Sequence, residues 1–281
     1  MKRIVYFNGK YIHYNEAKVS IEDRGLQFAD SIYEVIAFKK LNFIDLNFHI
    51  KRLKYSLSQL NITLNLQNIF LRKIFINLIN KNKLDYGLIY IQITRGIQSR
   101  SHVYKNNLKP TIIIYTIKKS FNDNINNLKC EKAITYPDLR WKRRDIKTVS
   151  LLANIIAAKA ASKKNAYEAI LIENGYVTEG TSSNIWIVKK NTLQTHPSNS
   201  DILKGITRDS IKNLIKKNKL ILIEKKFKKS LLYKADEVFL TSSSSFVTPI
   251  IKIDNKLINK GKIGNITYQL AKLYKNYVKI N

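Results

Sequence analysis

The stretch RRDIKTVSLLANIIAAKAA, residues 143–161, puts one lysine, Lys147, where a polar lead-in turns into a run of mostly Leu, Ile and Ala. The apolar run predicts a helix from about Val149 to Lys164. An amine held partly out of water at such a junction keeps its lone pair available for attack on an aldehyde. A lysine flanking a helix in solvent is the ordinary case. Position alone does not choose between them, so the rest of the chain has to.

Before this segment lies the strand-like KAITYP, and after it EAILIENGYVTEGTSSNIWIVKK, a hairpin pattern turning at Asn174-Gly175. TRDSIKNLIKKN reads as a helix, EVFL and VTPII as strands joined tightly by serines, and NITYQLAKLYKNYV as a closing helix. The first half opens with RIVYFNGKYIHY, two β-branched and aromatic runs around Asn8-Gly9. SIYEVIAFKKLNFIDL reads as a strand pair, and Ile50, Leu53, Leu57 and Leu60 share one helix face. IFLRKIFINLINKN repeats the helical spacing, and GLIYIQITRG and TIIIYTI read as short buried strands. Periodicity is lost in KKSFNDNINNL, which sets a linker at 119–128 between a smaller domain at 1–118 and a larger one at 129–281. The expected class is α/β (α+β) in two domains.

With 281 residues and 44% apolar content, the chain can bury a sizeable core. Fifty Lys and Arg against 20 Asp and Glu give a formal charge of +30. The basic residues are spread rather than clustered and accompany heavy use of Ile and Asn, the bias of an AT-rich genome. No nucleic-acid face is therefore expected. No apolar run approaches the roughly 18–20 residues of a membrane span, and no apolar segment follows the basic N-terminus, so a cytoplasmic protein is expected. The lone Cys130 and the scattered His13, His49, His102 and His196 point to neither a disulfide nor a metal.

Three further segments complement Lys147. Glu179, in VTEGTSSN, is a carboxylate at a strand end before a run of small residues. In GITRDS, Gly205 permits close approach, and the amides of Ile206 and Thr207 open a helix whose dipole favours an anion, although Thr207 also suits an N-cap. The hydroxyls of TSSSS, residues 241–245, and the guanidinium of Arg52 are candidate anion ligands. A Schiff-base lysine, an acid for a pyridine nitrogen and a phosphate cup are what a pyridoxal phosphate enzyme requires of its protein.

In this order, and through EDRGLQFADSIYEV, HIKRL, ITRGIQSRSH and ILKGITRDSI, the chain resembles the fold-type IV pyridoxal phosphate enzymes nearly end to end. That family includes D-amino acid aminotransferases, branched-chain aminotransferases and aminodeoxychorismate lyases. The resemblance implies that Lys147 carries pyridoxal 5′-phosphate covalently, Glu179 pairs with its ring nitrogen and Leu203 packs on its ring. It also implies that Arg52, Ile206, Thr207, Ser242 and Ser243 hold the phosphate, with an active site at the domain interface and a cofactor-binding C-terminal domain. RGIQSRSH is most similar to the D-amino acid branch: Arg100 and His102, with Tyr33, match that branch's trap for the substrate carboxylate. A guanidinium binds a carboxylate bidentately, which suits that role. The implied reaction exchanges amino groups between D-amino acids (D-alanine, D-glutamate) and 2-oxo acids. The L-branched-chain aminotransferase and lyase readings are the alternatives. A homodimer is implied, with the Arg100 and His102 loop donated by the neighbouring subunit. Ala29 and Ser31 stand where relatives often have glycine, and Arg143 and Arg144 are expected to shape the entrance near Lys147.

Overall fold

The computed structural model describes residues 3–65, 67–121 and 125–280. Residues 122–124 of the expected linker lie outside the described residues; 125–127 form a single 3₁₀ turn. The chain divides into two compact units, one of residues 1–121 with 146–150 and one of 122–145 with 151–280.

In the first unit, β1 (Ile4–Phe7) and β2 (Lys10–His13) form the expected hairpin. Its turn needs positive φ at both central residues, and Asn8 (47°) and Gly9 (96°) supply it. The short helix α1 (Arg24–Phe28) leads into β3 (Ser31–Lys39) and β4 (Asn42–Phe43). Then come α2 (Leu46–Gln59), α3 (Asn68–Asn82), β5 (Tyr86–Thr94) and β6 (Thr111–Lys118). The strands form an antiparallel sheet in the order β2-β1-β6-β5-β3-β4. Ile50, Leu53 and Leu57 of α2 and Leu71, Ile74, Phe75, Leu78 and Ile79 of α3 cover it, the stripe spacing of helices lying on a sheet. Phe75 is fully buried against Phe43, with ring centroids 5.6 Å apart.

In the second unit, β7 (Glu131–Pro137), α4 (Leu152–Lys163) and β8 (Glu168–Glu173) make a parallel crossover. Ala157 and Ala161 let α4 approach Ile134, Ala169 and Leu171 closely. A hairpin at Asn174-Gly175, as expected, leads to β9 (Tyr176–Gly180). β10 (Asn184–Lys189), β11 (Thr192–Thr195), α5 (Ile206–Lys217), β12 (Ile221–Glu224) and α6 (Lys229–Tyr233) follow. β13 (Glu237–Ser242), β14 (Phe246–Ile253), β15 (Lys256–Leu257) and α7 (Asn265–Ile280) complete it. The sheet order is β12-β11-β10-β13-β14-β7-β8-β9, with β15 on β14. Trp186 stacks on Phe239 at 5.5 Å, and α5 and α7 cover this face through Ile211, Ile215, Leu270 and Tyr274. Among the described residues no helix is long and apolar enough to cross a membrane.

Helix α4 starts at Leu152, three residues later than the apolar pattern suggests, because Thr148 and Val149 pair with β3 instead. The tertiary pairing overrides the local propensity.

Phe75→Ala is expected to lower the unfolding free energy by about 3–5 kcal/mol through lost burial and a residual cavity. Ile69→Ala, on the same helix but 79% exposed, should change it by less than about 0.5 kcal/mol. Urea titration followed by circular dichroism measures both. Asp254 accepts from the amide and hydroxyl of Thr135, both at 2.9 Å, and from the Tyr233 hydroxyl at 2.5 Å. Burial pushes its carboxyl up, but these hydrogen bonds outweigh burial and the net shift is downward. The unfolded chain therefore takes up this proton first. The stabilisation is present above about pH 4 and lost as pH falls through the folded value. Asp254→Asn should flatten the acid limb of a melting temperature against pH curve.

Candidate active site

Five of the candidate residues belong to the first unit. Residues 146–150 lie beside the start of β3, joined to it by one isolated bridge: Tyr33 donates its amide to the Lys147 carbonyl at 2.9 Å, and Val149 to the Ser31 carbonyl at 3.2 Å. Thr148 bridges Ile32, and the Lys147 amide donates to Ser56 Oγ at 3.2 Å. With both its amide and its carbonyl bonded, the Lys147 backbone is held, and so is the direction in which its side chain leaves it. Its Nζ lies 4.2 Å from the centroid of the Tyr33 ring, and the side chain is half-buried. Tyr33 in turn stacks on Tyr90 at 5.8 Å, and Tyr90 on Tyr115 at 4.8 Å.

Arg52, on α2, donates through Nε and Nη2 to the two carboxylate oxygens of Glu34 at 2.6 and 2.9 Å. Glu34 also contacts His49 Nδ1 at 2.8 Å. Burial works to raise the Glu34 carboxyl, and the Arg52 and His49 charges more than reverse it, holding the carboxylate ionised far below its usual range. His49 is pushed down, mainly by burial. Glu34 thus grips Arg52 from one side and fixes the direction of its guanidinium.

Arg100 and His102 sit on the exposed loop after β5. The Arg100 guanidinium lies 4.7 Å over the Phe28 ring and Nη1 is 3.5 Å from Gln27 Oε1; the His102 ring is 5.5 Å from Phe28. The structure therefore brings Lys147 and Tyr33 together, and gathers Arg100 and His102 around Phe28.

In the second unit Glu179, 4% exposed, closes β9. It accepts from the Leu203 amide at 3.0 and 3.1 Å, from Asn184 Nδ2 at 3.1 Å and from Arg140 Nη1. Asn184 Nδ2 also donates to the Leu203 carbonyl at 2.9 Å, so Glu179, Asn184 and Leu203 form one hydrogen-bonded cluster. Burial pushes the Glu179 carboxyl up against the pull of Arg140. For Arg140 burial opposes the charge, and Glu179 and Asp138 outweigh it, so the guanidinium stays protonated. Asp138 grips Arg140 through Nε at 2.9 Å and Nη2 at 2.7 Å.

Gly205 caps α5, whose first residues, Ile206 and Thr207, are buried; the cap is thus Gly205 and not Thr207. A Cβ on Gly205 would lie 2.0 Å from Asn184 Oδ1, which is why a glycine stands there. The serine run is a tight connection between β13 and β14, as expected, folded around Ser242: its Oγ lies 2.7 Å from Ser245 Oγ and accepts the Ser245 amide at 3.1 Å. Ser243 occupies the same half-buried turn.

One expectation fails. Arg144 is buried, donating to both oxygens of Glu173 at 3.1 and 3.0 Å and to the Asp201 carbonyl at 3.3 Å, so it supports the interior of the second unit and not an entrance. Arg143 is exposed and pairs with Asp145 at 2.9 Å. Sequence reading also missed Glu34, His49, Arg140 and Asn184. The only local signal was the DLR spacing that lets Asp138 hold Arg140.

Comparison with known proteins places this geometry. The family described as amino-transferase class IV matches residues 31–253. The chain is 39% identical over 276 residues to the D-alanine aminotransferase of Bacillus licheniformis, covering 98% of this chain and 96% of that protein. It is 38% identical over 276 residues to the D-alanine aminotransferase of Staphylococcus aureus (strain MSSA476), covering 98% and 97%. Its fold is similar to that of the Escherichia coli branched-chain amino acid aminotransferase, with a TM-score of 0.89 at 23% identity over 98% of this chain and 94% of that one. A lysine fixed by strand pairing, a buried acid under a helix start and a family match across most of the length all agree: the chain belongs to the class IV amino-transferases.

Proposed function

We propose that this chain is a pyridoxal phosphate-dependent aminotransferase that exchanges amino groups between D-amino acids, D-alanine and D-glutamate among them, and 2-oxo acids. The observation that carries the chemistry is Lys147, pinned to β3 by its main chain with Nζ over the Tyr33 ring. The D-amino acid assignment is supported by the similarity to D-alanine aminotransferases and by the Arg100 and His102 pair. Residues 1–118 supply the substrate side and residues 129–281 the larger share of the cofactor side.

The donor set suits the cofactor. Glu179 is a buried carboxyl that burial favours neutral, so a cation at a ring nitrogen would restore its charge and gain a charge-assisted hydrogen bond. The α5 start offers amides that point along the helix axis beyond its N-terminus, next to a glycine that keeps the approach clear. Arg52, Ile206, Thr207, Ser242 and Ser243 would hold the phosphate, and Leu203 would lie against the ring. When bound, pyridoxal phosphate supplies the carbonyl that takes the amino group and the electron sink for the substrate carbanion.

Lys147 would hold the cofactor through its Nζ until the amino acid takes its place. The freed Nζ would then take the proton from the substrate Cα as a general base and, as a general acid, deliver it to the cofactor carbon that bears the amino group. Glu179 would hold a proton at the ring nitrogen. Arg100, His102 and Tyr33 bind the substrate carboxylate, which fixes the face of Cα that meets Lys147. Hydrolysis would release the 2-oxo acid and leave the amino group in the site for a second 2-oxo acid, so ping-pong kinetics are expected. The active unit is a homodimer in the cytoplasm, in which the exposed Arg100 and His102 of one copy serve the Tyr33 of the other.

Lys147→Ala should lower the turnover of D-alanine with 2-oxoglutarate by about 10²–10⁴-fold or more, the range of a lost general acid-base group. A variant that keeps full turnover refutes the role. For the wild-type protein loaded with pyridoxal phosphate, a visible absorption band is expected that collapses on adding D-alanine and persists with L-leucine. Collapse with L-leucine alone would leave the family standing and overturn the reading of Arg100 and His102.

A further inference from the structure

We propose that Arg24 is a positioning residue for substrate carboxylate recognition: braced by Asp30 and Arg95, it holds the backbone of Ser101 and His102 and so sets the poses of Arg100 and His102. The inference rests on the reading of that pair as the carboxylate trap.

Arg24 is 4% exposed, and its guanidinium spends its donors in three directions. Nε donates to Asp30 Oδ2 at 2.9 Å, Nη1 to the Ser101 carbonyl at 2.6 Å and Nη2 to the His102 carbonyl at 3.2 Å. Two consecutive carbonyls gripped by one planar group fix the peptide between them, and with it the direction in which the His102 side chain leaves the backbone. The same guanidinium lies 4.8 Å over Phe28, on whose ring Arg100 and His102 also rest. One side chain therefore holds the loop by its backbone and supports the platform under both Arg100 and His102.

Arg24 is itself fixed. Asp30 Oδ2 also accepts from Arg95 Nε at 2.6 Å, and Oδ1 from Arg95 Nη2 at 3.0 Å. Arg95 is anchored on the carbonyls of Leu60 at 2.6 Å and Asn61 at 3.1 Å, and its guanidinium lies 3.7 Å over the Tyr104 ring. The loop is closed from inside by Gln98, which accepts the Lys105 amide at 2.7 Å and donates to the Val103 carbonyl at 3.0 Å. Gln98 thus gives the loop its shape, and Arg24 gives it its orientation. An exposed loop carrying two long polar side chains would otherwise sample many orientations, and ordering it on each binding event would weaken affinity.

The test uses the holoenzyme and two amino donors, D-alanine and a primary amine without a carboxylate. Arg24→Ala should raise KM for D-alanine by about tenfold to a hundredfold, the loss expected for charge-assisted hydrogen bonds. Neither kcat, nor the absorption band of the bound cofactor, nor the slow half-reaction with the amine should change. Equal loss with both donors, or an unchanged KM for D-alanine, overturns the proposal. Arg100→Ala separates the two levels. If it leaves KM for D-alanine unchanged, the trap reading fails and this inference with it. If it raises KM while Arg24→Ala does not, only the role of Arg24 falls. The double variant should be less impaired than the product of the two single losses, because both substitutions act on the same loop. If Arg24→Ala does not fold, Arg24→Lys keeps a charge beside Asp30 but cannot reach two carbonyls at once, and the same selective rise in KM is expected.

Discussion

The main-chain pairing of residues 146–150 with β3 is the constraint on which the catalytic reading depends. Five residues leave the second unit, pair with a strand of the first and return to the second at Leu151. Without that excursion the apolar run would extend its helix back toward Val149, and Lys147 would stand on a helix end, free to choose among rotamers in water. The pairing replaces helical hydrogen bonds with bonds to Ser31 and Tyr33, so helix propensity is overruled at no loss of backbone satisfaction. It also fixes the lysine's backbone at both its amide and its carbonyl.

Several of the charged residues given a role are held by buried or half-buried partners within their own unit. Glu34 holds Arg52, Asp138 holds Arg140 against Glu179, and Asp30 holds Arg24 and Arg95. Buried ion pairs are poor devices for stability, because desolvating the charges offsets most of their attraction and well-packed apolar residues often serve as well. Removing one partner, by contrast, costs about 3–5 kcal/mol, since a buried charge is left alone. Their recurrence beneath residues facing anions is accounted for by direction. A fork of donors held on a carboxylate can point only one way, and a substrate carboxylate or phosphate requires its ligands to point before it arrives.

The sequence made much of the fold legible because its signals were local. Both Asn-Gly turns fall where φ is positive, and the apolar stripes of α2, α3 and α5 lie on the faces they cover. Ala29, noted as an odd residue where relatives carry glycine, adopts φ 55° at the end of α1, a conformation that suits glycine better. What stayed illegible is non-local. Arg24 meets Ser101 across 77 positions and Arg140 meets Glu179 across 39, and apart from the DLR spacing at Arg140 nothing near either arginine marks it off from an exposed one. Arg144 was misread for the same reason: near Lys147 in the chain, it turns instead to Glu173 on β8.

The net charge carries a related lesson. The chain has 40 lysines and only 10 arginines, so its composition has moved strongly toward lysine. Yet among the described residues no lysine is buried, whereas Arg24, Arg95, Arg144 and Arg208 are, and the side chains of Arg52 and Arg140 are only 9% and 8% exposed. A lysine offers one strongly hydrated point charge; an arginine offers a weakly hydrated planar fork that can satisfy a carboxylate and a carbonyl together. Arginine persists where that geometry is used, and lysine fills positions where any solvated cation serves. The charge of +30 is therefore carried mostly by lysines outside the core, while the buried arginines Arg24, Arg95, Arg144 and Arg208 are each paired with a carboxylate.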